Sequence, residues 1–254
     1  MMDIGVTVFL GFLIGCLIMT MGGGGGGYYL GVMTTVLGLS ASSAASTSLV
    51  TALPPLLMGV VSYSHEKQIN YKVGFRMMAY AAPAVIIGSI AARFIDEKLY
   101  SIIVGLILAM IGVQFVLRSF KKKGKRKNDH SQTFNKVAPG LFGSLGGLMC
   151  GIGGLSGGAP VMSGLLFMGL DFTNAAATSA FTLTGIVAMG IVCHISTGNV
   201  VWSAGIGLMI GSIIGAFVMP MLLTKLDPKK LNKYMVPILG VLLIVMGIKN
   251  MMMG

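Results

Sequence analysis

The chain has 254 residues, 55% of them hydrophobic and only 10% charged, with a mean hydropathy of +0.88 and a formal net charge of +11. Soluble domains run near a quarter charged, so composition excludes a cytosolic enzyme, a disordered chain and a disulfide-rich secreted module. The pattern is that of an all-α polytopic membrane protein.

A spanning helix needs about 20 apolar residues. The first candidate covers 4–21; the N-terminus Met1-Met2-Asp3-Ile4 lacks the basic region of a signal peptide, so this stretch reads as a retained helix. It runs into six consecutive glycines, 22–27. Each glycine costs a helix about 1 kcal/mol relative to alanine, so the helix must break there. Further apolar segments follow at 28–39, 42–64, 72–92 and 99–120. The segment at 42–64 opens with hydroxyls: Ser40, Ser42, Ser43, Ser46, Thr47, Ser48 and, one turn on, Thr51.

The stretch from Arg118 to Lys136 holds eight basic residues against Asp129 alone, seven of the eleven net positive charges. In a chain this apolar, such a run reads as a cytoplasmic loop obeying the positive-inside rule rather than a nucleic-acid patch. We take 121–136 as a cytoplasmic linker between a first membrane repeat, 1–120, and a second, 137–254.

The second repeat offers segments at 137–152, 159–169, 172–195, 200–223 and 232–250. Between the first two lies 151–158, with five glycines in eight positions, then Pro160, suited to the first turn of a helix. The next segment again opens with polar residues: Thr173, Asn174, Thr178, Ser179, Thr182 and Thr184. The halves match at an offset of 131 residues. Gly15 pairs with Gly146, Gly22-Gly23 with Gly153-Gly154, Gly26-Gly27 with Gly157-Gly158, and Gly38 with Gly169. The stretch 44–48 (Ala-Ala-Ser-Thr-Ser) pairs with 175–179 (Ala-Ala-Ala-Thr-Ser). This is an internal duplication.

Charge counting sets the relative orientation of the copies. The loop with Glu66, Lys67 and Lys72 lies two spans before the basic linker and so is inside, whereas its counterpart at 194–199 has no Lys or Arg. Equivalent loops are therefore expected on opposite sides, giving an inverted repeat. Each half would hold a glycine-broken opening helix, or a re-entrant hairpin, plus three full transmembrane helices. Both termini would face outside.

Unwound backbone at membrane depth is tolerated only where it is buried in protein or lines a cavity. Paired glycine-rich interruptions in two halves point to a transporter's binding site, and freed amides beside a helix N-terminus suit an anion. The candidate substrate-binding residues are Gly22, Gly23, Gly26, Ser46, Thr47, Ser48, Gly153, Gly154, Gly157, Asn174, Thr178 and Ser179. The hydroxyls have a competing reading, as donors back to helix carbonyls or across helix pairs. No catalytic group, metal site or cofactor is expected. Cys16, Cys150 and Cys193 read as small buried apolar residues, and His65 and His194 as interfacial helix-end residues.

The two glycine-rich breaks, each followed by an A-x-x-T-S stretch (44–48 and 175–179) around a basic central loop, resemble the TauE/SafE family of sulfite and organosulfonate exporters. The resemblance spans essentially the whole chain. It implies a multi-pass cell-membrane transporter of small sulfur-containing anions such as sulfite, thiosulfate or sulfonates. Tyr28-Tyr29, where the second copy has Ala159-Pro160, departs from the pattern. The expected partners are the small anionic substrate, the lipid bilayer and no nucleic acid, with room for a coupling ion (proton or sodium) and a homo-oligomer. Two other functions compete: an anion channel or membrane subunit of a larger complex, and an intramembrane serine hydrolase using the GxSG string Gly154-Leu155-Ser156-Gly157 with His194 as base.

Overall fold

A computed structural model of the chain describes residues 4–21, 25–120, 132–195, 200–223 and 228–253, and every regular element among them is helical. The first half comprises α1 (Ile4–Met21), α2 (Gly26–Thr35), α3 (Ala41–His65), α4 (Tyr71–Ala92) and α5 (Glu97–Phe120). The second comprises α6 (Gln132–Gly153), α7 (Gly158–Phe167), α8 (Phe172–Ile195), α9 (Trp202–Leu223) and α10 (Pro228–Met253). The helix α6 begins before its expected start at 137, so the end of the basic linker is already helical. Among the described residues, α3, α4, α5 and α8 are each long and apolar enough to cross a membrane.

The duplication is visible in how elements start and stop. After α2 the chain turns at Gly38 (φ +67°), and after α7 at Gly169 (φ +88°), positions 131 apart. A left-handed residue at this place closes a helix end without a Cβ penalty. Ser40 then caps α3 by accepting the Ser43 amide at 3.3 Å, and its counterpart Asp171 caps α8 by accepting the Asn174 amide at 3.3 Å. Different side chains perform one task at equivalent positions.

The short helices α2 and α7 have ten residues each. At 1.5 Å per residue that is roughly 15 Å, half the hydrocarbon thickness. In the second half the geometry is a hairpin: Gly146 approaches Val161 and Gly157, Gly164 packs on Phe142, and Phe142 stacks on Phe167 at 5.8 Å. Thus α7 folds back along α6. In the first half α2 runs beside α10 in the same direction, with Gly27 near Leu243, Gly31 against Met246, and Lys249 Nζ donating to the Thr35 carbonyl at 2.7 Å.

Small residues set the remaining pairings. Gly11 and Gly15 pack on the backbone of α9 at Leu208 and Ser212, while Gly143 and Gly147 pack on α4 at Met77 and Ala81. The two pairs run parallel and are equivalent, because each repeat's opening helix lies on the other repeat's second long helix. Between α5 and α10, Gly105 meets Gly247 and Gly112 meets Gly240, so these two equivalent helices run antiparallel. The central helices α3 and α8 are also antiparallel. The Asn70 amide, just past α3, donates to Thr178 Oγ1 near the start of α8 at 2.9 Å, and the Val201 amide, just past α8, donates to Thr47 Oγ1 near the start of α3 at 3.0 Å. Both donor and acceptor in these two bonds are related by the 131-residue offset.

Candidate functional site

The end of the first glycine tract and the second break meet at the middle of the packing. The Gly26 amide donates to Ser156 Oγ at 3.2 Å, and the Gly26 Cα lies so close to the Ser156 backbone that no Cβ fits between them. Beside this contact, Gly27 faces Leu155, with Leu108 of α5 and Leu243 of α10 around it. These leucines sit near the middle of long helices, which places the junction deep between the two ends of the protein.

Local chemistry explains the second break. The helix α6 ends at Gly153, where Gly154 turns left-handed (φ +61°) and still donates to the Cys150 carbonyl at 3.0 Å. Gly157 (φ +71°) turns the chain again into α7, with its Cα against Gly146. Left-handed backbone costs an L-residue roughly 1–2 kcal/mol, and at Gly154 the Cα also lies directly on Ala45 of α3. The freed Gly154 carbonyl is taken by Ser48 Oγ at 2.8 Å. One turn of α3 thus locks the second break in place.

The candidate residues therefore divide. Gly26, Gly153, Gly154, Gly157 and Ser48 gather at or beside the junction, with Ser48 and Ser156 essentially fully buried. Thr47 and Thr178 point elsewhere, to the amides at the starts of the other repeat's α9 and α4. Ser46 bonds back to the Ser42 carbonyl at 3.2 Å, and Thr51 and Thr182 bond back to the carbonyls of Thr47 and Thr178, each at 2.8 Å. These four threonines and Ser46 thus bond within their own helix or across a helix pair. Asn174 is exposed and pairs with Asp171 at the start of α8. Ser179 Oγ is fully buried with no hydrogen-bond partner among the described residues. Gly22 and Gly23 lie outside the described residues.

Ser156, which the sequence offers as the serine of a GxSG string, lies inside the second break. Its Oγ accepts from Gly26, while His194 Nε2 lies 3.0 Å from the Gly151 carbonyl. His194 is thus turned into the protein at the end of α6, whereas His65 is exposed. Cys150 is buried and donates to the Ile186 carbonyl at 3.6 Å; Cys16 and Cys193 are half-buried. Among the described residues no cluster of His, Cys, Asp or Glu could hold a metal ion.

A family model described as "Sulfite exporter TauE/SafE" matches residues 7–250, nearly the entire chain. The protein belongs to the TauE/SafE family. Two relatives from Bacillus subtilis (strain 168) agree with this. A "Probable membrane transporter protein YdhB" is 23% identical over 208 residues, covering 82% of this chain and 85% of its own length. A "Probable membrane transporter protein YunE" is 26% identical over 221 residues, covering 80% and 78%. No solved structure matches the chain. As a TauE/SafE member the chain is a multi-pass membrane transporter, built from long apolar helices around two broken ones.

Proposed function

We propose that this TauE/SafE member is a secondary carrier that exports small sulfur-containing oxyanions, sulfite, thiosulfate or an organosulfonate, across the cell membrane. The two glycine breaks form its binding site near the membrane midplane. The observation that carries this reading is the meeting of the breaks. Gly26 at the start of α2 and Ser156 between α6 and α7 come together from the two repeats, the Gly26 amide bonded to the Ser156 hydroxyl, and Ser48 of α3 holds the neighbouring Gly154 carbonyl. No span is centred on Asp, Glu, Lys or Arg, so an anion would be held by amide dipoles and hydroxyls. Such contacts desolvate cheaply and release readily, which a carrier requires.

In this reading the repeats are inverted, with the basic linker cytoplasmic. The antiparallel run of α3 against α8 and of α5 against α10 supports inversion, since parallel repeats would set equivalent helices parallel. The two repeats would rock against one another about the junction to give alternating access.

Flux of labelled sulfite in proteoliposomes tests the proposal. A Gly154→Leu variant that still reconstitutes should lose saturable flux, and counterflow should be present in the wild type. Unchanged flux in that variant would refute the placement of the site.

A further inference from the structure

The serine of the Gly154-Leu155-Ser156-Gly157 string is 1% exposed and sits where the two breaks touch. A serine hydroxyl carries two acceptor lone pairs and one hydrogen to donate. One lone pair of Ser156 Oγ takes the Gly26 amide at 3.2 Å. Its hydrogen has no acceptor among the described residues, and buried donors are seldom left unmatched. Serines 46 and 48 nearby do spend theirs, on the carbonyls of Ser42 and Gly154.

A second buried hydroxyl is also unspent. Ser179 Oγ has no hydrogen-bond partner among the described residues, and Ser179 is the counterpart, 131 residues on, of Ser48, which reaches the second break. At the junction itself, Ser156 offers a hydroxyl hydrogen that no acceptor among the described residues receives. What completes such a site is a solute rich in acceptors and poor in donors. The position equivalent to Ser156 in the first copy is Gly25, so the Ser156 hydroxyl is a single group, unmatched across the pseudo-symmetric pair.

We propose that Ser156 is a direct ligand of the transported oxyanion. Its hydroxyl donates to a substrate oxygen, while the Gly26 amide holds that hydroxyl oriented toward the solute. This rests on the carrier reading above and adds to it a binding residue and a ligand class: solutes ending in ionised S–O oxygens that accept hydrogen bonds.

The test uses the full-length protein with sulfite and sulfoacetate as probes. It reads the melting temperature with and without probe, and the half-saturation of flux in proteoliposomes. Ser156→Ala should raise half-saturation by about ten- to a hundredfold, the weight of one hydrogen bond to a charged group. It should also lose the probe-induced rise in melting temperature, and Ser156→Thr, which keeps the hydroxyl, should restore both. If Ser156→Ala reconstitutes poorly, Ser156→Gly makes the same comparison with the residue already present at Gly25. Half-saturation unchanged from wild type in the alanine or glycine variant, or a drop in the probe-free melting temperature as its sole effect, overturns the assignment and leaves the carrier reading standing. A wild type that neither transports nor is stabilised by either probe overturns both.

Discussion

At the scale of single residues, two glycines with similar backbone angles carry different burdens. Gly38 (φ +67°) has open space where a Cβ would point, whereas Gly154 (φ +61°) has Ala45 of α3 in that space. An alanine at 38 should therefore cost only the left-handed strain, roughly 1–2 kcal/mol. An alanine at 154 must in addition push the second break away from α3 and strain the Ser48 bond. Melting in detergent should show a modest loss for Gly38→Ala and a much larger one for Gly154→Ala. Equal losses would mean that the break is not seated on α3. The paired threonines allow a similar comparison. Thr178→Val removes the acceptor for the Asn70 amide, and with Asn70 itself exposed the loss should be about 1 kcal/mol, at the low end for an unmade bond. Thr178→Ser should restore it. A valine variant as stable as wild type would deny this bond any structural weight. Both threonines were visible in the sequence as duplicated hydroxyls beside the breaks. Their direction was not, because Thr47 and Ser48 are adjacent on one helix yet bond Val201 and Gly154 on different sides of it.

At the scale of elements, ten helices could be read from apolar runs and glycine interruptions, and their ends fall within a few residues of the observed ones. What apolar runs do not encode is direction. A glycine tract breaks a helix whether the chain continues onward or turns back, so the hairpin of α6 with α7 appears only through contacts such as Gly164 on Phe142. The short helices also differ in how they are anchored, which composition conceals. At α2, Lys249 reaches over from α10 to the Thr35 carbonyl at 2.7 Å, placing positive charge at a helix C-terminus. At α7, the neutral Gln114 of α5 donates to Ser163 Oγ at 3.3 Å. Lys249→Met should therefore loosen α2 selectively. Hydrogen exchange of the amides in the last turn of α2 should quicken about two- to fivefold, in line with a helix-end charge of this kind, while α7 is unaffected. Equal acceleration in both helices would point to general destabilisation instead.

At the scale of the whole molecule, the proposed inversion of the repeats makes a prediction independent of any substrate. The loop after α3 lies level with the start of α8, and the loop after α8 lies level with the start of α3, as the Asn70–Thr178 and Val201–Thr47 bonds require. With the repeats inverted, these two loops should emerge on opposite faces of the bilayer. The positive-inside rule assigns the α3–α4 loop, with Lys67 and Lys72, to the cytoplasm together with the basic linker. Single cysteines at Lys67 and Val200, in a chain whose Cys16, Cys150 and Cys193 have been replaced by alanine, report this directly. In intact cells a membrane-impermeant maleimide should label Val200→Cys and spare Lys67→Cys, and in inside-out vesicles the pattern should reverse. Labelling of both from one face would make the repeats parallel. The two glycine breaks would then open to the same side, and the junction between Gly26 and Ser156 could not exchange access between the two faces by rocking one repeat against the other.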